Sequence, residues 1–425
     1  MIDIKLILER PDYVKAALAK KLWDFDPQPI IELHGRRLAL LKEVEANKAE
    51  QNRLSASVPQ VKKEGGDVQE IFKKVKELAA LNKGKEEELK QVEAQIKALL
   101  EVLPNLPDDD LLGGGKENNT PIASFGEERD FGFTPKDHVT LCENLGLIDY
   151  RRAATISGTG TWIYTNLGAR LEWALLNYFI EQHLNDGYEM ILPPHILNYE
   201  SGYTAGQFPK FEEDVFWLEG LEPRKFILPT AETALVNLHR GEILTLNDLP
   251  KKYFAYTPCY RKEAGSYRTE ERGMIRGYQF NKVEMVQYTT EEGSDAAFDE
   301  MVMKARKLLE GLGLTYRLDK LAAGDCSHSM ARTYDIEVWI PSMGIYKEVS
   351  SVSNARDYQA RRGMIRYRDE AGKVHYCHTL NGSGLATSRV FPALVEQMQQ
   401  EDGSVIIPEP LRKYMGGLEV LKPTK

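Results

Sequence analysis

The chain has 425 residues, a formal net charge of −9, and a composition that is 42% hydrophobic and 28% charged. That length exceeds one small domain and supplies enough apolar mass for a core that can support an active site. The net acidity excludes a surface that is basic throughout, although a local basic face is still compatible with it. No apolar run approaches the roughly 20 residues that a membrane helix needs, so no membrane association is expected. Residues 1–21 carry Asp3 and Glu9 among their apolar residues and lack the apolar block and small-residue cleavage site of a secretory signal. Cys142, Cys259, Cys326 and Cys377 are scattered with no C-x-x-C. This argues against a disulfide scaffold and fits a reducing, cytoplasmic setting.

Two long helical stretches come first. Leu33, Leu40, Val44, Leu54 and Val58 follow an alternating spacing of three and four, interrupted by Arg37, Asn47 and Gln51. Val68, Ile71, Val75, Leu78, Leu89, Val92, Ile96 and Leu99 repeat it, with Asn82 and Lys85 as polar breaks. That spacing is the seam of a coiled coil. Between the stretches, Gly65-Gly66 can end one helix and Asp67 can cap the next. The expectation is an antiparallel hairpin over about residues 30–101, each limb about 50 Å long at 1.5 Å per residue. Pro59 is expected to end the first regular helix early.

A stretch rich in Pro, Asp and Gly follows, from Leu103-Pro104-Asn105-Leu106-Pro107 to Gly113-Gly114-Gly115. It divides the chain into an N-terminal helical part (1–105), a linker (106–125) and a larger part (126–425). Residues 167–184 have a helical apolar pattern, and residues 188–192 read as a strand stopped by Pro193-Pro194. Residues 253–260, 277–288, 334–340, 345–352 and 374–380 are rich in aromatic and β-branched residues, as strands are. They lack regular strand–helix alternation. The expected class is therefore α+β, an antiparallel sheet flanked by helices behind a helical hairpin.

The common nucleotide motifs are absent: there is no G-x-x-x-x-G-K-[ST], and no G-x-G-x-x-G follows a strand. Cys326-x-His328 and Cys377-His378 lack a second paired set at finger spacing, so no zinc is expected. The informative stretch runs from Arg261-Lys262-Glu263 through a loop dense in Arg and Glu to Arg276, Phe280 and Glu284. By itself such a loop could be a solvated, salt-bridged hairpin. Arg276, Phe280 and Glu284, however, recur every four residues and share one face of an extended strand. A cation, an aromatic ring and an acid on one face are costly in a core and useful in a nucleotide pocket, where Arg grips phosphate and a ring stacks on a base.

These residues resemble motif 2 of the class II aminoacyl-tRNA synthetases, in the form found in the seryl-tRNA synthetase family. The likeness extends along nearly the whole chain. Thr230-Ala231-Glu232 is similar to that family's T-x-E, and Gly206–Phe211 resembles the run upstream of it. Glu348-Val349-Ser350-Ser351-Val352-Ser353-Asn354, followed by Asp357–Arg362, resembles E-[IV]-S-S-x-S-N…D-[FY]-Q-A-R-R. Asn381-Gly382-Ser383-Gly384-Leu385-Ala386 with Arg389 resembles motif 3, and the helix and strand around residues 167–194 resemble the dimer motif.

The resemblance implies a homodimer that joins L-serine to tRNA(Ser) with ATP and Mg²⁺; it leaves tRNA(Sec) open as a second acceptor. The hairpin would be the tRNA-binding arm. Arg261 and Arg389 would be catalytic. ATP would be held by Arg261, Lys262, Glu263, Arg276, Phe280, Glu348, Val349, Ser350, Ser351 and Arg389. Arg261 would sit on the α-phosphate, Glu263 on the adenine amino group and Arg276 on the outer phosphates, with Phe280 and Arg389 on the two adenine faces. Glu348 and Ser351 would hold Mg²⁺ through the phosphates. Serine would be bound by Thr230, Ala231, Glu232, Arg261, Glu284, Asn381 and Ser383, with Thr230 and Glu232 on its ammonium and Glu284 and Ser383 on its hydroxyl.

Some residues depart from the family pattern: Cys326-Ser327-His328-Ser329, the Ala386-Thr387-Ser388-Arg389 run, Arg268 in place of a typical Gly, and Tyr278 in place of a common His. They raise the question of a divergent paralogue rather than a housekeeping enzyme. Three competing readings are an amino acid:carrier-protein ligase, a catalytically inactive coiled-coil scaffold, and a synthetase for another small amino acid. The arm speaks against the first, because such ligases lack it. Intact Arg261, Glu263, Glu348 and Arg389 speak against the second.

Overall fold

The structure is a computed structural model that describes residues 1–263 and 273–424. It divides into two compact units. One comprises Ile2–Ala19 and Asp24–Leu103; the other comprises Met1, Lys20–Trp23 and Pro104–Lys425.

The first unit is dominated by α1 (Gln28–Lys63, 36 residues) and α2 (Val68–Glu101, 34 residues), which pack along their length. Leu40 and Val44 of α1, and Val92, Ile96 and Leu100 of α2, are buried between them. The Asp67 carboxylate accepts from the Gln69 amide at 2.8 Å and caps α2. Cross-hairpin ion pairs, Arg37–Glu93 at 2.9 Å and Lys48–Glu86 at 2.7 Å among them, flank the seam. They are exposed and contribute little each. Asn82, one of the polar breaks, is buried, and neither side-chain polar atom finds a hydrogen-bond partner among the described residues. Pro59 does not end the helix, which continues to Lys63. Pro59 faces solvent, where water can hydrate the Ser55 carbonyl that its missing N–H leaves unpaired.

The second unit is built on an eight-stranded sheet. The strands of this sheet and the main helices that position the site are, in chain order, β1 (Thr120–Phe125), α3 (Asn166–Asn185), β2 (Glu189–Met190), β3 (Lys251–Tyr260), β4 (Gln279–Thr289), α4 (Ser294–Leu312), β5 (Tyr316–Lys320), β6 (Arg332–Ile340), β7 (Ile345–Asn354), α5 (Tyr358–Gly363), β8 (His378–Ala386) and α6 (Thr387–Gln397). The sheet order is β1-β5-β6-β7-β8-β4-β3-β2, antiparallel except where β2 joins β3 at the edge. Strand β1 lies within the stretch read as linker. The strand expected over residues 374–380 is two strands: Val374–Tyr376 joins a small separate sheet, and β8 begins at His378. Both halves are β-rich in composition, so nothing local marks the break.

Strand periodicity divides the two faces of the sheet. Val283 and Met285 of β4, Ile336 and Val338 of β6, Val352 of β7 and Leu380 of β8 join one core with Leu175 and Phe179 of α3, Phe298 and Met301 of α4 and Phe391 of α6. The opposite face carries polar residues at the same register: Lys282 and Glu284, Thr333 and Asp335, Ser351 and Ser353, Asn381 and Ser383. A polar stripe on an otherwise apolar sheet has no packing rationale and marks the site.

Candidate active site

These residues line a cavity of about 590 Å³, closed on its other sides by Gly206-Gln207, Phe211, Pro229-Thr230, Glu232, Arg261, Glu263, Arg276 and the Asp325–Met330 stretch. Three groups of side chains meet there.

The first group is a buried carboxylate pair with its partners. Glu284 is 1% exposed and accepts from Asn381 Nδ2 and Ser383 Oγ, each at 3.3 Å. Lys282, two residues back on the same strand face, ion-pairs with Glu284 Oε2 at 2.5 Å and donates to Thr230 Oγ1 at 2.8 Å. Glu232 accepts from Gln359 Nε2 at 2.8 Å. Burial, and then the neighbouring Glu284, push the Glu232 carboxyl up to about 7.

The second group is cationic and aromatic. The Arg261 guanidinium lies 5.3 Å from the centre of the Phe280 ring, and its Nε donates to the Pro229 carbonyl at 3.3 Å. Arg276 pairs with Glu263 at 3.0 Å. Arg276 precedes β4 rather than lying in it, so the expected single face holds for Phe280 and Glu284 only.

The third group is anionic. Glu348, Ser351 and Asp335 line one wall. Residues three apart should face opposite ways on a regular strand. A register shift opposite Ile336/Glu337 leaves Val349 extra, and this bulge returns Ser351 to the face of Glu348. Asp335 is paired across the strands with Ser351, whose hydroxyl hydrogen-bonds to it. Its Oδ1 finds no hydrogen-bond partner among the described residues. Burial, and then the Glu348 carboxylate, raise the Asp335 carboxyl well above its usual range. Arg389 donates to the Glu348 carbonyl at 2.7 Å and stands 3.6 Å from its carboxylate.

Six of the expected residues are not on the cavity wall: Phe280 packs against the apolar cluster of Phe208, Phe226 and Cys259, Arg389 lies behind Glu348, and four more turn elsewhere. Val349 is in the core, Ser350 donates to the Ser383 carbonyl at 2.6 Å, and Ala231 packs into a second apolar cluster. Lys262 is not on the wall either; its amide donates to the Asp214 carbonyl at 3.1 Å. The bulge turns Val349 inward, and Ala231, at the cap of the short helix Glu232–Leu235, is buried in the second cluster. Lys282, Asp335 and Lys116 are among the wall residues that escaped the sequence reading. Lys282 had a signal, the alternation Phe280, Lys282, Glu284. Asp335 had none, because cross-strand pairing with Ser351 brings it in, and neither did Lys116, which stands in a short turn, Lys116–Asn118, ahead of β1.

In the unusual stretch, Ser327 and Ser329 reach the cavity, while Cys326 packs with Leu111, Leu321 and Ala323. His328 sits edge-on to Trp23 at 5.6 Å. Burial, then Lys210 and Lys21 nearby, lower its imidazole to about 3, so it stays neutral. Gly206 has φ +75°, and a Cβ there would lie 2.6 Å from the Ser329 Cβ, so only glycine fits. Arg268 lies outside the described residues.

Family comparison agrees with this geometry. The model of the class II tRNA synthetase core domain (G, H, P, S and T) matches residues 216–398, which defines the sheet unit as a class II synthetase core. The seryl-tRNA synthetase N-terminal domain model matches residues 1–107. A serine–tRNA ligase 2 of Clostridium acetobutylicum is 59% identical over 422 residues, 98% of this chain and 99% of that one. The crystal structure of seryl-tRNA synthetase from Pyrococcus horikoshii complexed with ATP superposes with a TM-score of 0.94 at 32% identity, covering all of both chains. A cytoplasmic serine–tRNA ligase from Naegleria fowleri in complex with AMP gives 0.90 at 25% identity, covering 100% of this chain and 99% of that one. The chain belongs to the seryl-tRNA synthetase family, and is thus an aminoacyl-tRNA synthetase, a ligase.

Proposed function

We propose that the protein activates L-serine with ATP to seryl-adenylate and transfers the seryl group to the 3′ end of tRNA(Ser). The observation that carries this is the buried set Thr230, Glu232, Glu284 and Ser383 beside Arg261. It offers carboxylates for an ammonium and for a small hydroxyl, and a guanidinium for phosphate or carboxylate. The serine carboxylate attacks the α-phosphorus and expels pyrophosphate; the terminal ribose hydroxyl of the tRNA then attacks the seryl carbonyl and expels AMP. A carboxylate is already a nucleophile, so the first step needs positioning and charge neutralisation rather than a general base. Arg261 supplies both at the α-phosphate. Glu263 and Arg276 exchange their mutual ion pair for adenine and the outer phosphates, and Phe280 and Arg389 enclose the base. Lys262, Val349, Ser350 and Ala231 would contribute through their backbones.

The anionic wall fits Mg²⁺. Glu348, Ser351 and Asp335, whose Oδ1 has no hydrogen-bond partner among the described residues, are hard oxygen donors, of the kind that bind this ion together with phosphates. Among the described residues no cluster of three or more His, Cys, Asp or Glu would hold a metal without such help. When bound, the ion would neutralise phosphate charge. Formation of labelled seryl-tRNA(Ser) that requires both ATP and Mg²⁺ is the test; failure to charge tRNA(Ser) would sink the proposal. A tRNA(Sec) transcript tests the second acceptor.

The homodimer is proposed through the segment around residues 167–194, α3 and the stretch through β2 to Pro194, where Trp173, Leu184 and Leu192 are exposed by 52%, 50% and 76%. Sedimentation at micromolar concentration should give twice the protomer mass, and a fully active monomer would contradict it. A cytoplasmic site of action is proposed with it. No described helix is long and apolar enough to cross a membrane.

A further inference from the structure

We infer that Lys282 is the fixed counter-ion and a positioning residue of the serine pocket, matched to the Glu284–Glu232 pair. This rests on the serine-binding reading above. Lys282 is 6% exposed, reaches Glu284 Oε2 at 2.5 Å and Thr230 Oγ1 at 2.8 Å, and so ties together the two sides of the pocket. A buried ammonium is costly unless paired, and the residues alternating with it on β4, Asn281 and Val283, point to the other face of the sheet.

Charge balance explains its presence. The groups that act on Glu232 are Glu284, which opposes its ionisation, and Lys282 and Arg261, which favour it. Gln359 adds a hydrogen bond that also favours the ionised form. With Arg261 committed to phosphate or the substrate carboxylate, two carboxylates face one lysine, leaving a single negative charge. The α-ammonium of serine completes the balance. Without Lys282, two buried carboxylates would face each other uncompensated, and one of them would take up a proton near neutral pH. Glu232 already sits at about 7, so it is the one that would protonate and lose its hold on the ammonium.

The sign follows. Removing the lysine charge raises the Glu232 carboxyl further, so the loss is largest at low pH and shrinks as pH rises. A further rise of one unit lowers the ionised fraction about tenfold at pH values below it. The test is pyrophosphate exchange with Lys282→Met, Lys282→Gln and Lys282→Arg over a range of pH. For Lys282→Met the serine KM should rise about tenfold near pH 6.5, with the variant-to-wild-type ratio falling toward pH 8.5. The ATP KM should move much less, and Lys282→Arg should restore the serine KM. Lys282→Gln keeps a donor for Thr230 and loses only charge, so it gives the same pH trend even if the methionine variant folds poorly. A ratio that is flat with pH, or an arginine variant as poor as glutamine, would overturn the counter-ion role. A wild type that does not use serine would instead overturn the reading of the pocket itself, and this proposal with it.

Discussion

Alanine should be used about 10⁴–10⁵-fold less efficiently than serine, because it would leave the Glu284 carboxylate and the Ser383 hydroxyl beside a methyl group. Both are buried, and they already lie 3.3 Å apart. Threonine should be rejected by packing against its extra methyl, a weaker filter of about 10–200-fold. Replacing Glu284 by Ala removes the proposed hydroxyl reader, and it should cut serine activation far more than ATP binding while collapsing the serine-to-alanine ratio. Amino-acid-dependent pyrophosphate exchange for wild type and Glu284→Ala measures all of these. Equal use of serine and alanine by the wild type would show that Glu284 does not read the hydroxyl.

Deleting residues 30–101 should leave adenylate formation largely intact and abolish efficient tRNA charging. Every residue that lines the cavity lies at or beyond Lys116, and the deleted segment falls within the other compact unit. Residues 30–64 contain seven Lys/Arg and five Asp/Glu, a modest basic excess on an acidic chain. Binding of tRNA by the intact protein should therefore weaken as salt rises. A folded deletion variant that has lost pyrophosphate exchange would contradict this division of labour.

The parts of the molecule that were legible in the sequence are those with a local signal. The seam residues Leu40, Val44, Val92 and Ile96 announce the hairpin by spacing, and Gly65 and Asp67 mark its turn by backbone and capping chemistry. Thr230, Glu232, Arg261 and Glu284 stand in motifs whose order alone points to the site. The parts that were missed depend on non-local geometry. The inward turn of Val349 comes from a register shift set by the opposing strand. Asp335 enters the site only because it pairs with Ser351 across the sheet. Pro59 stays helical because it faces water, which the spacing does not reveal by itself. Lys282 was within reach, since period-two alternation places it between Phe280 and Glu284; a search at every fourth residue steps over it.

On the proposed function, this pocket selects serine for ATP-dependent activation. Pyrophosphate exchange with each of the twenty amino acids tests it most directly. Serine should support exchange by far the most strongly, with threonine a distant second. Exchange driven best by another amino acid, or by none, would contradict the account.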